Sequence, residues 1–218
     1  MIRARVLLAD DHKMLVDALK RLLETRYEVV GTVNDGRALL QSAALLHPDV
    51  VVVDIAMSKL NGLDAVRRLK TTMPGVKAVF MTMNQDPYLV GEAFRAGASA
   101  FLLKQGAALE LTEAIDQVLK GGSYVTPKAN AGMIPISLSG PKGRNISSES
   151  TLRQREVIQL LAEGLSMKEV ANELNITTRT VTGHKYSVMK HLQLKTNAAL
   201  VQYAIKRGII SINQTALP

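Results

Sequence analysis

Four short apolar runs in the first half of this 218-residue chain end in residues suited to phosphoryl chemistry. Val50-Val51-Val52-Val53 ends in Asp54, and Val6-Leu7-Leu8-Ala9 runs into the pair Asp10-Asp11. Val79-Phe80-Met81 is followed by Thr82, and Phe101-Leu102-Leu103 by Lys104. In an open parallel α/β sheet, ligands bind at the carboxyl ends of the strands, so these five side chains should converge. An ionised Asp54 can act as a nucleophile toward phosphorus. Asp10, Asp11 and Asp54 offer the hard oxygen donors that Mg²⁺ prefers, directly or through water. Without a cation, three close carboxylates repel and their pKa values rise. Lys104 and Thr82 could each hold one phosphoryl oxygen, which leaves positioning and charge neutralisation as the main work. Any one of these residues alone fits an ordinary solvated loop; all five at strand ends do not. His12 reads as a residue at the start of a helix.

The elements that must position these groups are legible as an alternation. Strand-like runs cover Arg5–Ala9, Tyr27–Val33, Val50–Asp54, Val76–Met81 and Ala100–Leu103. Helical patterns cover Lys13–Glu24, Arg37–Leu46, Leu63–Lys70, Pro87–Ala96 and Ala108–Leu119. This (βα)₅ order implies a doubly wound parallel sheet with right-handed crossovers. Continuously apolar middle strands fit helices on both faces. Gly121-Gly122 ends the last helix, and a stretch rich in Pro, Gly, Ser and Asn follows. The reading is a first domain over 1–125, a linker over 126–149 and a second domain over 150–218, with Pro127, Pro135 and Pro141 breaking regular structure in the linker.

The second domain is small and helical. Ser166-Met167-Lys168-Glu169 is a capping box. Asn175-Ile176 is a tight turn, and Thr177 caps a helix to about Leu192. Two short helices joined by such a turn make a helix-turn-helix. Val181, His184, Val188 and Leu192 form the expected inward stripe. Thr182, Lys185, Tyr186 and Met189 then fall on a face suited to a major groove of double-stranded DNA. Thr177, Thr178 and Arg179 sit at the helix N-terminus, where phosphate binds well, and Lys190 and Lys195 can add backbone contacts. Charge supports a polyanionic partner: residues 1–125 carry 15 Lys/Arg and 14 Asp/Glu, whereas residues 126–218 carry 12 and 5. A solvated basic surface would show the same imbalance.

The bulk numbers set outer bounds. The chain has no Cys, which excludes disulfides and thiolate metal sites and fits a reducing cytoplasm. Met1–Arg5 lead straight into a strand, so no secretion leader is expected. No apolar run reaches the ~18 residues of a membrane span.

These residues carry a resemblance. Leu8–His12, Val53–Met57, Asn61-Gly62, Met81-Thr82 and Ala96–Lys104 resemble the CheY-like receiver domain of two-component response regulators, over residues 3 to about 121. The resemblance implies that Asp54 accepts phosphate from a sensor histidine kinase. It implies Mg²⁺ on Asp10 or Asp11, Asp54 and the carbonyl of Ala56. Thr82 and Phe101 would be the switch pair, Phe101 turning inward behind Thr82. Ser58 stands where the family usually has Pro, so a looser loop is expected before Asn61-Gly62. Residues 150–210, with Arg153–Val157, Leu161–Ser166, Lys168–Ala171 and Thr180–Lys185, resemble a NarL/FixJ-type (LuxR-like) DNA-binding domain. There the helix holding Thr180–Met189 would read DNA and Asn197–Lys206 would form the face of a homodimer. Gly183 is unusual inside that helix, at a cost of ~1 kcal/mol relative to Ala.

The combined expectation is a cytoplasmic bacterial regulator in which phosphorylation of Asp54 controls transcription. Two rivals stand beside it. One is a phosphatase with an Asp nucleophile, but such enzymes need a second acid two residues on, where this chain has Ala56. The other is a DNA binder indifferent to phosphate.

Overall fold

A computed structural model of the chain describes residues 3–130 and 152–211. It has two units, divided between Ile134 and Pro135.

The first unit contains β1 (Arg5–Ala9), α1 (Lys13–Glu24), β2 (Glu28–Val33), α2 (Gly36–Leu46), β3 (Val50–Asp54) and α3 (Gly62–Thr72). It continues with β4 (Lys77–Thr82), α4 (Pro87–Ala96), β5 (Ala100–Leu103) and α5 (Ala107–Leu119). Every strand pairing is parallel, in the order β2-β1-β3-β4-β5-β6, where β6 is Tyr124–Val125. The order reverses between β1 and β3, which opens a crevice at their carboxyl ends.

Strand residues alternate faces with period two. Leu7, Ala9, Val51, Val53, Phe80, Phe101 and Leu103 pack with the buried residues of α2, α3 and α4. Val6, Leu8, Val50, Val52, Val79, Met81 and Leu102 pack with those of α1 and α5. All five residues of β3 are buried, and Asp54 at its end sits level with Met81 on β4.

The sheet has one strand more than expected, and residues 127–130 of the expected linker form a helical turn. Residues 124–130 belong to the first unit. β6 covers the outer edge of β5, and a helical turn, α6 (Pro127–Asn130), follows. Pro127 starts that turn instead of breaking structure, because proline suits the first position of a helix. Thr126 is buried, and Ala129 joins the core beside Phe101 and Leu103. The remainder of the expected linker, from residue 131, lies outside the described residues, as do residues 212–218.

The loop after Asp54 is held firmly despite Ser58. Met57 and Leu60 are fully buried, Ser58 pairs with Asp35 in an isolated bridge, and Lys59 Nζ lies 3.0 Å from Asp35 Oδ2. Asp35 also caps α2 through Arg37 N and Ala38 N. Burial raises the Asp35 pKa, but the Ala38 amide and Lys59 outweigh it, and the carboxyl stays below its ordinary range. Gly62 closes the loop by donating its N–H to Ile55 O at 2.8 Å.

The second unit is α7 (Leu152–Ala162), α8 (Met167–Leu174), α9 (Thr178–His191) and α10 (Asn197–Lys206). The capping box at Ser166 and Glu169 forms in both directions, and Thr177 and Thr196 cap α9 and α10 through their side chains. Asn175 turns the chain with a left-handed φ of 55°. Arg153 on α7 donates to Leu174 O at the end of α8, which ties α7 to the turn.

A β-carbon on Gly62 would stand 2.1 Å from Asp54 O, whereas one on Gly75 would meet nothing within 4 Å. Gly62→Ala should therefore destabilise the first unit by about 1–3 kcal/mol, and Gly75→Ala should not. Urea unfolding followed by circular dichroism measures both; equal midpoints would contradict the close approach.

Candidate functional site

Four of the five strand-end residues, Asp10, Asp11, Asp54 and Lys104, lie together, and Thr82 ends the strand beside them. Asp10 follows β1, Asp54 ends β3, Thr82 ends β4 and Lys104 follows β5. Lys104 Nζ lies 2.7 Å from Asp54 Oδ2 and 2.8 Å from Asp10 Oδ2. The Lys104 ammonium is the group that Asp10 Oδ2 faces, and its alignment for a hydrogen bond is poor. Asp54 Oδ1 receives the Ala56 N–H at the long distance of 3.4 Å. Neither carboxylate is saturated, although Asp10 and Asp54 are both about 3% exposed.

Burial and charge oppose one another here. Burial pushes the Asp54 carboxyl up to about 6; Lys104 opposes the rise, and Asp10 and Asp11 add to it. For Lys104, burial disfavours the ammonium, yet Asp54 and Asp10 outweigh it and hold the pKa above the ordinary lysine value. The site thus holds excess negative charge that one ammonium does not cancel.

Ligand atoms from Asp10, Asp11, His12 and Asp54 lie within 4.8 Å of one another. A carboxylate-dominated set with an under-satisfied buried oxygen fits a hard divalent cation such as Mg²⁺. His12 Nδ1 stands 2.8 Å from Asp11 Oδ1 and 3.1 Å from Asp10 Oδ1, and His12 is also the N-cap residue of α1. It therefore stands at the helix start, as expected, and also closer to the acids than a capping role alone requires.

Thr82 is buried, and its Oγ1 accepts the Asn84 N–H at 3.0 Å. Phe101 is 1% exposed and packs in the core on the α4 side of the sheet.

In the second unit the inward stripe of α9 is rotated from the expected one. Val181, Lys185, Val188 and Met189 are the buried residues, and His184 is only half-buried. Lys185 and Met189 therefore do not lie on the outer, DNA-facing surface assigned to them. The reason is geometric. A 3.6-residue period continues from Val181 to position 185 as readily as to 184, and a lysine stem is apolar enough to be buried. The Lys185 ammonium sits 5.5 Å from the centroid of the Tyr186 ring.

The exposed surface of α9 is made instead by Thr178, Arg179, Thr180, Gly183, Tyr186, Ser187, Lys190 and His191, with Thr177 at its cap. Thr182 is half-buried, and its hydroxyl bonds back to Thr178 O at 2.9 Å. Nothing lies within 4 Å of the β-carbon position of Gly183, so its backbone is open to approach. Among the described residues no helix is long and apolar enough to cross a membrane.

Comparison with known proteins agrees with this division. Residues 6–116 match the response regulator receiver domain family, and residues 151–204 match the luxR family of bacterial regulatory proteins. The transcriptional regulatory protein MctR of Rhizobium johnstonii is 33% identical over 211 residues, covering 96% of each chain. The oxygen regulatory protein NreC of Staphylococcus carnosus is 28% identical, covering 94% of this chain and 99% of its own. Among solved structures, the RcsB response regulator of Salmonella typhimurium has a TM-score of 0.65 at 25% identity, covering 95% of this chain and 99% of its own. A CheY-like parallel sheet bearing an acidic crevice, followed by a capped helix-turn-helix, places the chain among the response regulators of the NarL/FixJ type, which regulate transcription through a LuxR-type DNA-binding domain.

Proposed function

We propose that Asp54 accepts a phosphoryl group from a sensor histidine kinase and that its phosphorylation sets the DNA affinity of the second unit. The observation that supports this most directly is Lys104 Nζ standing within 2.8 Å of both Asp10 and Asp54. That ammonium is already where a phosphoryl oxygen on Asp54 would need a partner.

Asp10, Asp11, Asp54 and the carbonyl of Ala56 would hold Mg²⁺, which when bound neutralises the phosphoryl oxygens and the excess charge of the acids. An Asp54 oxygen forms the new O–P bond as the N–P bond of the kinase phosphohistidine breaks. Lys104 moves from the carboxylates to a phosphoryl oxygen. Thr82 gives up the Asn84 amide and donates its hydroxyl to another. Ala56 offers no acid or base to hydrolyse the product, so Asp54 serves as a regulatory acceptor and not a turnover nucleophile.

The second unit would bind double-stranded DNA through α9. Thr177, Thr178, Arg179 and Lys190 suit phosphates, and Tyr186 with the open backbone at Gly183 suits base edges. RcsB dimers have been seen on DNA. This chain would bind as a homodimer through α10, in the cytoplasm, where the kinase and the DNA are both accessible.

Incubation with Mg²⁺ and a small acyl phosphate should label wild type and leave Asp54→Asn unlabelled; equal labelling of the two would refute the assignment.

Tyr186→Ala should weaken specific DNA binding about ten-fold, as expected for loss of a base contact. Lys185→Met, at a buried position, should change it less than about two-fold. The log–log salt slope should be near −0.9 per phosphate neutralised, and Lys190→Ala should reduce its magnitude by about one such step. Fluorescence anisotropy on a selected operator at several salt concentrations measures all three. A Lys185 effect as large as that of Tyr186 would put the wrong face on the DNA.

A further inference from the structure

β5 has four residues and its outer neighbour β6 only two. The ladder Ala100↔Tyr124 and Phe101↔Val125 therefore ends before β5 does. Thr126 N–H still reaches Phe101 O at 3.0 Å. The amide of Leu103, a buried residue, has no strand residue beside it on the β6 side, and a buried amide needs an acceptor. The Thr126 side chain supplies one: Leu103 N donates to Thr126 Oγ1 at 3.2 Å.

That hydroxyl is itself held in place. It donates to Glu110 Oε2 on α5 at 2.7 Å, and Tyr124 OH donates to the same oxygen at 3.2 Å. With its single hydrogen committed to Glu110, the hydroxyl turns a lone pair to the Leu103 N–H. Leu103 is covalently joined to Lys104, and Lys104 N donates to Thr82 O at 2.9 Å on the opposite side. The backbone that carries the Lys104 side chain is thus clamped between β4 and the chain that leaves α5. Thr126 lies beyond the residues matched by the receiver family, at the start of the segment leading to the second unit. Three residues on, Ala129 packs in the same core as Phe101 and α4.

We propose that Thr126, oriented by Glu110, is a positioning residue for Lys104. It fixes where β5 delivers the ammonium and ties the phosphoryl site to the last described residues of the first unit. The inference rests on Asp54 being the phosphoryl acceptor.

The test uses the full chain. The rate of Asp54 labelling by acetyl phosphate, at saturating Mg²⁺, is measured for wild type, Thr126→Val, Thr126→Ser and Glu110→Ala. Each is accompanied by its thermal midpoint and by hydrogen exchange of the Leu103 amide. Thr126→Val should label about ten-fold more slowly per folded molecule, in line with the cost of small misplacements at a reacting centre. Its Leu103 amide should exchange faster, and Thr126→Ser should restore both. A purely structural role would lower the midpoint and leave the rate per folded molecule unchanged, which would overturn the proposal. Should Thr126→Val fail to fold, Glu110→Ala decides: slower labelling at a wild-type midpoint supports the proposal, and wild-type labelling overturns it. If Asp54→Asn labels like wild type, the acceptor reading fails instead, whatever Thr126 does.

Discussion

One ammonium shared between two buried carboxylates is the constraint on which the rest of the first unit depends. Lys104 reaches Asp10 and Asp54 only because β1, β3 and β5 bring their ends to one level, and the parallel registers set that level. Removing the ammonium would leave two buried acids facing each other, an arrangement in which at least one must protonate. Lys104 opposes this, and burial carries Asp54 up only to about 6. The site is therefore held together but not satisfied. A fully satisfied site would have no remaining affinity for a divalent cation or for a phosphoryl group.

The backbone around Asp54 is held by several independent contacts. Its loop is anchored by the Ser58–Asp35 bridge, by Lys59 on Asp35, and by Gly62 packed against the carbonyl of Asp54. A site that stores repulsion needs a backbone that does not relax it away. Ser58, in place of the family's usual proline, costs little rigidity here because tertiary contacts supply what the ring would have.

How much of this was legible in the residues depended on how local each signal was. Five strands and their terminal carboxylates, hydroxyl and ammonium were readable because each strand is a short apolar run that stops abruptly at a polar residue. The helix caps at Ser166 and Thr177 were readable for the same reason, since each lies within a few residues of the helix it starts. β6 was not readable. Two residues carry no period, and their reason to be a strand is the exposed edge of β5, more than twenty residues earlier in the chain. Lys185 failed in another way. Spacing leaves positions 184 and 185 equivalent, and residue type argued for the wrong one, because a lysine on an inner stripe looks like an error until its stem is seen to be buried. Glu110 and Thr126 went unremarked because their significance is a hydrogen-bond relay that no single segment displays.

Electrostatics narrows how phosphate can speak to DNA. The positive charge that attracts DNA lies in the second unit, while the first carries nearly equal numbers of acids and bases. An acyl phosphate replaces a carboxylate of charge −1 with a group of about −2. The change is thus about one charge, placed in a crevice against Lys104 and beside donors that fit a divalent cation. Salt screens exposed charges beyond about 10 Å at 0.1 M ionic strength. So small a change, so nearly neutralised at its source, acts most strongly on the groups next to it. On the proposed reading, phosphorylation would act first on Thr82 and Lys104 at the ends of β4 and β5, and on the chain hydrogen-bonded to them. Among the described residues, the segment from Tyr124 to Ala129 is the stretch of chain that both touches β5 and continues toward the DNA-binding unit. Differential contacts in that segment are what would make the affinity for DNA depend on the state of Asp54.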